Sequence, residues 1–226
     1  MSIRSIFLDA GGVLVNPNWQ RVSEMLSRHG ITVAADLLSS AEPYIKHALD
    51  RAEYVQATSD QDRFITYLEM IFERAGCAKV PQEALAELND YQAEFNLWES
   101  VDDEVYSALS ALREQGYKLV VVSNSNGTLH RSFTRLGLID KVDFIFDSHE
   151  YGVEKPDPSF FHLALKESKS IADETIHVGD FYHIDVMGAR SANIQAVLFD
   201  ACGLYTDYDC PRIASLNELV GLLPTL

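Results

Sequence analysis

The chain has 226 residues, of which 47% are hydrophobic and 23% charged, and a formal net charge of −16. That length can bury a large core as one domain or as one domain carrying a smaller insert, and the composition leaves little room for disorder. The acidic balance opposes binding to nucleic-acid phosphates and to anionic membrane surfaces, and no apolar run approaches membrane-spanning length. Met1 to Leu8 is too short for the core of an export signal and runs directly into Asp9, so a cytoplasmic location is expected. Cys77, Cys202 and Cys210 are odd in number and match no zinc spacing, which reads as reduced thiols. The same negative field would repel an anionic substrate, so an anion site here needs a local cation or a metal.

Ser5 to Leu8 reads as a buried strand that ends in Asp9 and is followed by Gly11 and Gly12. Taken alone, this stretch is equally a strand delivering a carboxylate to a site or a strand leading into an Asp-x-Gly-Gly turn. Val15 to Asn18 reads as a linker, broken by Pro17. Residues 17–98 then carry an entirely helical pattern. One helix is predicted from Trp19 to His29, closed by Gly30. A second holds Leu37, Ala41, Ile45 and Ala48, with Pro43 leaving its start open. A third is capped by Asp60 with Phe64, Leu68, Ile71 and Phe72 on one face, and a fourth begins at Pro81 and carries Leu85, Leu88 and Phe95.

From Val101 the pattern alternates helix and strand, which predicts a parallel sheet with crossover helices. The strands are Lys118–Val122, ending at Ser123-Asn124; Val142–Phe146; Thr175–Val178, ending at Gly179-Asp180; and Gln195–Phe199. Helices are predicted around Val105–Leu112, Leu129–Leu136, after the Asp157-Pro158 cap, at Asp185–Ala192 and at Leu216–Leu223. The fold class is therefore α/β, a Rossmann-like parallel-sheet core of residues 1–16 and 99–226 with an all-helical insert of residues 17–98. Asp9, Ser123-Asn124 and Asp180 all fall at strand carboxyl ends, where open parallel sheets bind ligands, with Lys155 on a loop nearby. Each has a structural explanation by itself: a helix cap for Ser123, a solvated side chain for Lys155, a turn for Asp180. Together they form a candidate phosphate-transfer site.

Four segments in order carry a family resemblance. They are Phe7-Leu8-Asp9-Ala10-Gly11-Gly12-Val13-Leu14, Val122-Ser123-Asn124, Glu154-Lys155-Pro156-Asp157-Pro158 and Gly179-Asp180-Phe181-Tyr182-His183-Ile184-Asp185. In this the sequence resembles the haloacid dehalogenase superfamily of hydrolases, and residues 17–98 occupy the place of the helical cap domain of one large class of it. The resemblance implies a phosphatase acting on a small phosphorylated metabolite. Asp9 is the implied nucleophile, forming an aspartyl-phosphate. Mg²⁺ is the implied cofactor, held by Asp9, Asp180, the carbonyl of Gly11 and Asp185, with Asp185 a candidate for an outer role. Lys155 and Ser123 are the implied catalytic partners, and Ser123, Asn124 and Lys155 the implied phosphate contacts.

The sequence departs from the family at one place. Most phosphatases of the family carry a second Asp two residues after the nucleophile, and this chain has Gly11, so the proton carrier is missing. A leaving group that needs no proton would fit, as would a substitute donor such as His183, Tyr182 or a tyrosine of the insert. His177, inside a strand, reads as a core residue. Arg21, Arg28, Arg51 and Arg63 are candidate anion contacts of the insert. Two alternatives stay open: a non-catalytic binding module of the same fold, made credible by Gly11, and a 2-haloacid dehalogenase, a class that by resemblance works without a metal and lacks the Gly-Asp pair.

Overall fold

The computed structural model of the protein describes residues 2–77 and 79–223; Met1, where the export-signal expectation begins, lies outside them. The chain divides into two compact units, residues 1–16 with 99–226, and residues 17–98. Strand β1 (Ser5–Leu8) is buried along its whole length. The chain then folds back on Ala10, whose carbonyl accepts from the N–H groups of Leu14 and Val15, both at 2.9 Å, and Gly12 takes φ +76°, a left-handed conformation suited to glycine. Two short strands, β2 (Asn16–Pro17) and β3 (Trp98–Ser100), pair as a ribbon where a plain linker is expected. Two residues are too few to show the alternation that marks a strand.

In the insert, helix α1 (Trp19–Arg28) is capped by Asn18, whose side chain accepts from Arg21 N, and it buries Trp19, Val22, Met25 and Leu26 at helical spacing. Helix α2 (Ala35–Leu49) runs straight through Pro43. An interior proline costs about 3 kcal/mol, and burial of Leu38, Ala41, Ile45 and Leu49 on one face offsets it. A short helix, α3 (Ala52–Ala57), has too few turns to leave a periodic signal. Helix α4 (Asp60–Arg74) is capped by Ser59 rather than Asp60, in a reciprocal box with Asp62 that only the main-chain geometry reveals. Helix α5 (Gln82–Glu94) has Pro81 as its cap instead of its first residue, and Phe95, just past its end, is exposed. Glu42 is buried at the centre of this unit. It accepts from Trp19 Nε1 at 3.0 Å and Tyr67 Oη at 2.8 Å and pairs with Lys46 at 3.0 Å.

The larger unit continues with α6 (Asp103–Glu114), β4 (Lys118–Ser123), α7 (Leu129–Arg135), β5 (Phe144–Asp147), α8 (Ser148–Tyr151), α9 (Pro158–Ser168), β6 (Thr175–Gly179), α10 (Met187–Ser191), β7 (Gln195–Phe199), β8 (Arg212–Ile213) and α11 (Leu216–Leu222). Among the described residues the sheet is six-stranded and parallel throughout, in the order β5-β4-β1-β6-β7-β8. This is the α/β parallel-sheet core expected, with β8 added at one edge. Phe7, Val120 and Val122 on one face pack with Phe160, Phe161 and Ala164 of α9 and with Val186 and Ala189. On the unit's other helical layer, α6 packs against β4 and α11 and buries Val105, Ala108, Leu109 and Leu112. A strand covered on both faces shows no polar alternation, which is why β1 and β4 are continuous apolar runs.

Candidate active site

Strand β1 lies between β4 and β6, and Leu8 is level with Val121 on one side and Val178 on the other. The next residue, Asp9, therefore leaves the sheet beside Val122-Ser123 and Gly179-Asp180, at the carboxyl ends of three adjacent strands. One carboxylate oxygen from each of Asp9, Asp180 and Asp185 lies within 4.8 Å of the others, with Asp180 and Asp185 buried. Lys155, only 1% exposed, reaches into this cluster, its Nζ 2.9 Å from Asp9 Oδ1 and 2.7 Å from Asp185 Oδ1. Burial alone would lower the Lys155 pKa, but the Asp185 and Asp9 carboxylates override it and hold the ammonium well above its ordinary value. Burial likewise would raise the Asp185 carboxyl, and Lys155 together with a hydrogen bond from His177 holds it well below the carboxylate range.

Local chain geometry explains how Asp185 arrives. Tyr182–Val186 forms a π-helical turn where an ordinary helix start is expected, and Asp185 Oδ2 accepts from Phe181 N at 3.0 Å. The wider turn aims the carboxylate back across the strand end, a placement often found at functional sites. A Cβ on Gly179 would sit 2.1 Å from Asp185 Cγ, so the Gly-Asp pair needs its glycine for space. Gly188 has the same role one turn later, since its Cβ would meet Phe161 at 2.9 Å and the backbone of Pro156 at 3.0 Å.

Asn124, expected as a phosphate contact, has its side chain against the lysine loop. Both ends of its side chain are engaged with the backbone of Lys155: Nδ2 donates to Lys155 O at 2.9 Å, and Lys155 N donates to Oδ1 at 2.7 Å. The amide acts as one rung of a ladder, stitching the lysine loop to the end of β4. Ser123 is buried beside it. Tyr182, a candidate substitute proton donor, is engaged with a neighbouring carboxylate. Its hydroxyl donates to Asp209 Oδ1 at 2.6 Å, and Arg190 Nη1 donates to the same oxygen at 3.1 Å. Burial and the hydrogen bond to Asp209 push its pKa up to about 12, too high to release a proton near neutrality.

Of the arginines of the insert, Arg28 pairs with Glu87, Arg21 lies over the Tyr91 ring at 4.9 Å, and buried Arg63 donates to Thr58 O at 2.7 Å. Those three have structural work inside their own unit, whereas Arg51 is exposed. Gly11, with no side chain, bridges to Val15.

Two residues escape sequence reasoning. His177 is buried, yet its Nε2 lies 3.0 Å from Asp185 Oδ1. The signal lies in strand periodicity, because residues 177 and 179 share a face, and the face of Gly179 is the one Asp185 packs on. Asp147, fully buried at the end of β5, accepts from Gly127 N and His149 N at 3.1 Å and Leu129 N at 3.2 Å. It shapes the loop after Ser123, and its position after an apolar strand and before a helix marks it only as a cap.

Comparison with known proteins agrees with this geometry. A family model described as haloacid dehalogenase-like hydrolase matches residues 3–193. A ribulose-1,5-bisphosphate 5-phosphatase of Halopiger xanaduensis is 35% identical over 121 residues, 53% of this chain and 51% of the relative. A phosphoserine phosphatase of Thermus thermophilus is 34% identical over 98 residues, 43% and 39% of the two chains. The chain spans about half the length or less of these curated relatives. Among solved structures, the HAD hydrolase YfnB of Bacillus subtilis, bound to magnesium, has a TM-score of 0.72 at 18% identity over 99% of each chain. The L-2-haloacid dehalogenase RSc1362 has 0.70 at 19% identity over 99% of this chain and 100% of its own; at these identities the likeness is one of fold. A model matched from residue 3 to residue 193, on a parallel sheet whose three central strands end in these groups, makes the chain a member of the haloacid dehalogenase-like hydrolase family.

Proposed function

We propose that the protein is a phosphatase of small phosphorylated metabolites that works through an aspartyl-phosphate on Asp9 and uses Mg²⁺. The observation that carries this reading is the convergence of Asp9, Asp180, Asp185 and Lys155 at the ends of adjacent strands. The donor set fits a hard cation: it consists of oxygens, and the three carboxylates lie within 4.8 Å of one another, where a further positive charge would be favoured. Asp9, Asp180 and the Gly11 carbonyl would hold the ion, with Asp185 supporting them through Lys155 and Phe181 N. When bound, Mg²⁺ would neutralise charge on the phosphate oxygens and help to orient the phosphoryl group.

The chain's own residues do the rest. A free Asp9 oxygen attacks phosphorus, and the bond to the leaving oxygen breaks with its electron pair. Water then attacks the aspartyl-phosphate, returning the carboxylate and inorganic phosphate. Lys155 holds Asp9 in place and, with Ser123, faces the non-bridging oxygens as charge develops. Since Gly11 supplies no proton, substrates whose leaving oxygen departs as a stable anion, aryl and acyl phosphates, should turn over far faster than alkyl phosphates. The phosphatase names of the relatives support the substrate class. Residues 17–98 have the chain position of a cap domain, and we assign substrate selection to them. A cytoplasmic location belongs to the same proposal; no described helix is long and apolar enough to cross a membrane.

The test is a panel of aryl, acyl and alkyl phosphates with and without Mg²⁺, run beside Asp9→Asn. Mg²⁺-dependent hydrolysis lost in the variant is the expected result, and equal rates on aryl and alkyl esters would remove the role given to Gly11. Halide release from a 2-haloacid without metal would replace this reading with the dehalogenase. Equal inertness of both proteins alongside specific capture of a protein partner would favour the binding module.

A further inference from the structure

His177 lies at the centre of the sheet, in β6 level with Phe7 of β1, and it is wholly buried. An imidazole at such a position must satisfy two nitrogens. One of them, Nε2, faces Asp185 Oδ1 at 3.0 Å, and the other, Nδ1, is buried with no hydrogen-bond partner. The ring edge packs on Phe161 at a centroid distance of 5.0 Å and 79°. Only one protonation state suits these surroundings. A carboxylate oxygen accepts, so Nε2 must carry a hydrogen, and a hydrogen on Nδ1 would be a buried donor with nothing to meet. Donation from Nε2 to Asp185 is thus the arrangement that this geometry favours.

The same Asp185 oxygen that takes the His177 bond also takes the Lys155 ammonium at 2.7 Å, while Lys155 reaches Asp9 at 2.9 Å. A chain of bonds thus runs from the middle of the sheet to the nucleophile: His177 to Asp185, Asp185 to Lys155, Lys155 to Asp9. With Phe181 N on Oδ2, His177 fixes the Asp185 carboxylate at two points on different elements.

We propose that His177 is a positioning residue for Lys155, acting through Asp185. This deepens the phosphatase reading and rests on it only where turnover is measured. A core role needs bulk and apolarity at position 177. A positioning role needs one donor aimed at Asp185. Gln can place its amide nitrogen near the position of Nε2, whereas Met fills the space without a donor.

The test uses the full chain with His177→Met and His177→Gln, each checked for folding by near-ultraviolet circular dichroism. Lys155 is labelled with acetic anhydride without substrate or metal, and its acylation rate is followed by peptide mass spectrometry. Removing an outer hydrogen-bond partner typically costs about 10- to 100-fold in activity, so His177→Met should lose about tenfold or more in turnover and label at Lys155 faster than wild type, with His177→Gln close to wild type in both. Turnover of p-nitrophenyl phosphate should fall in kcat with little change in KM for His177→Met and recover in His177→Gln. Folded variants that both protect Lys155 like wild type would overturn the proposal. Should the Met variant fail to fold, ¹⁵N-histidine NMR of the wild-type protein decides: a hydrogen on Nε2 supports it, and a bare Nε2 with the hydrogen on Nδ1 refutes it. If every phosphate ester is inert, the labelling and the tautomer still stand as tests of His177 while the phosphatase reading fails by itself.

Discussion

Each unit of the chain buries a carboxylate that pairs with a lysine, and the two arrangements differ in how many carboxylates crowd together. In the insert, Glu42 meets Lys46 one helical turn away and takes two neutral donors, Trp19 and Tyr67, from neighbouring helices. Both oxygens of Glu42 have donors. At the strand ends of the larger unit, three carboxylates crowd within 4.8 Å, and two of them share the ammonium of Lys155. That clustering of negative charge costs stability in a chain already at −16 and adds nothing to packing. A carboxylate met by donors on both oxygens is explained by structure, whereas crowded carboxylates at strand ends are what the proposed metal site and reaction would use.

The comparison can be broken most sharply at Asp9. Asp9→Asn should abolish Mg²⁺-dependent hydrolysis of an aryl phosphate, by about 10³-fold or more, with the fold intact by circular dichroism. Glu42→Gln should leave the rate per folded molecule within a small factor. Next in size is Gly11→Asp, which restores a proton carrier two residues after the nucleophile. Steady-state kinetics on an alkyl phosphate should show a gain of about 10²-fold or more, and no gain would mean that the site lacks more than its acid.

Stability sharpens the contrast further. Lys155→Met leaves buried carboxylates without their ammonium and should destabilise the protein by about 3–5 kcal/mol, read from urea unfolding. Millimolar Mg²⁺ should return part of that loss, because a ligand that binds only the folded chain stabilises it. Glu42→Leu, which removes the acceptor of the Trp19 and Tyr67 bonds, should cost about 2–4 kcal/mol and show no Mg²⁺ effect. Equal Mg²⁺ responses in the two variants would erase the distinction between the networks.

The smallest effect concerns Tyr182. Its folded pKa is raised to about 12, so its contribution is fully present below the ordinary tyrosine value near 10 and is lost as pH rises through about 12. An ultraviolet titration should lose one late-titrating phenol in Tyr182→Phe, with activity near neutrality changed little. A large loss of activity at neutral pH would return Tyr182 to the list of proton donors.

Much of the site was legible from residue order because its parts sit at strand ends. An apolar run that stops at Asp9, Ser123 or Gly179-Asp180 marks both the strand and the edge it reaches, and hydrophobic periodicity needs only neighbours in sequence. The helices of the insert were legible for the same reason, apart from the short α3 and the passage of α2 through Pro43, where tertiary burial overrides local preference. What one side chain bonds across a sheet is not a local property. Whether the Asn124 amide faces a substrate or the backbone of Lys155, 31 residues on, depends on where the loop after α8 returns. Whether Tyr182 keeps its proton depends on Asp209, and whether His177 is filler or support depends on the π-helical turn that swings Asp185 over Gly179. Composition, the main strands along the chain and the identity of the carboxylates follow from the chain read residue by residue, and the order of the strands in the sheet comes from the fold. The tertiary fold assigns those carboxylates their partners, because hydrogen bonds and desolvation act between groups that only folding brings within reach.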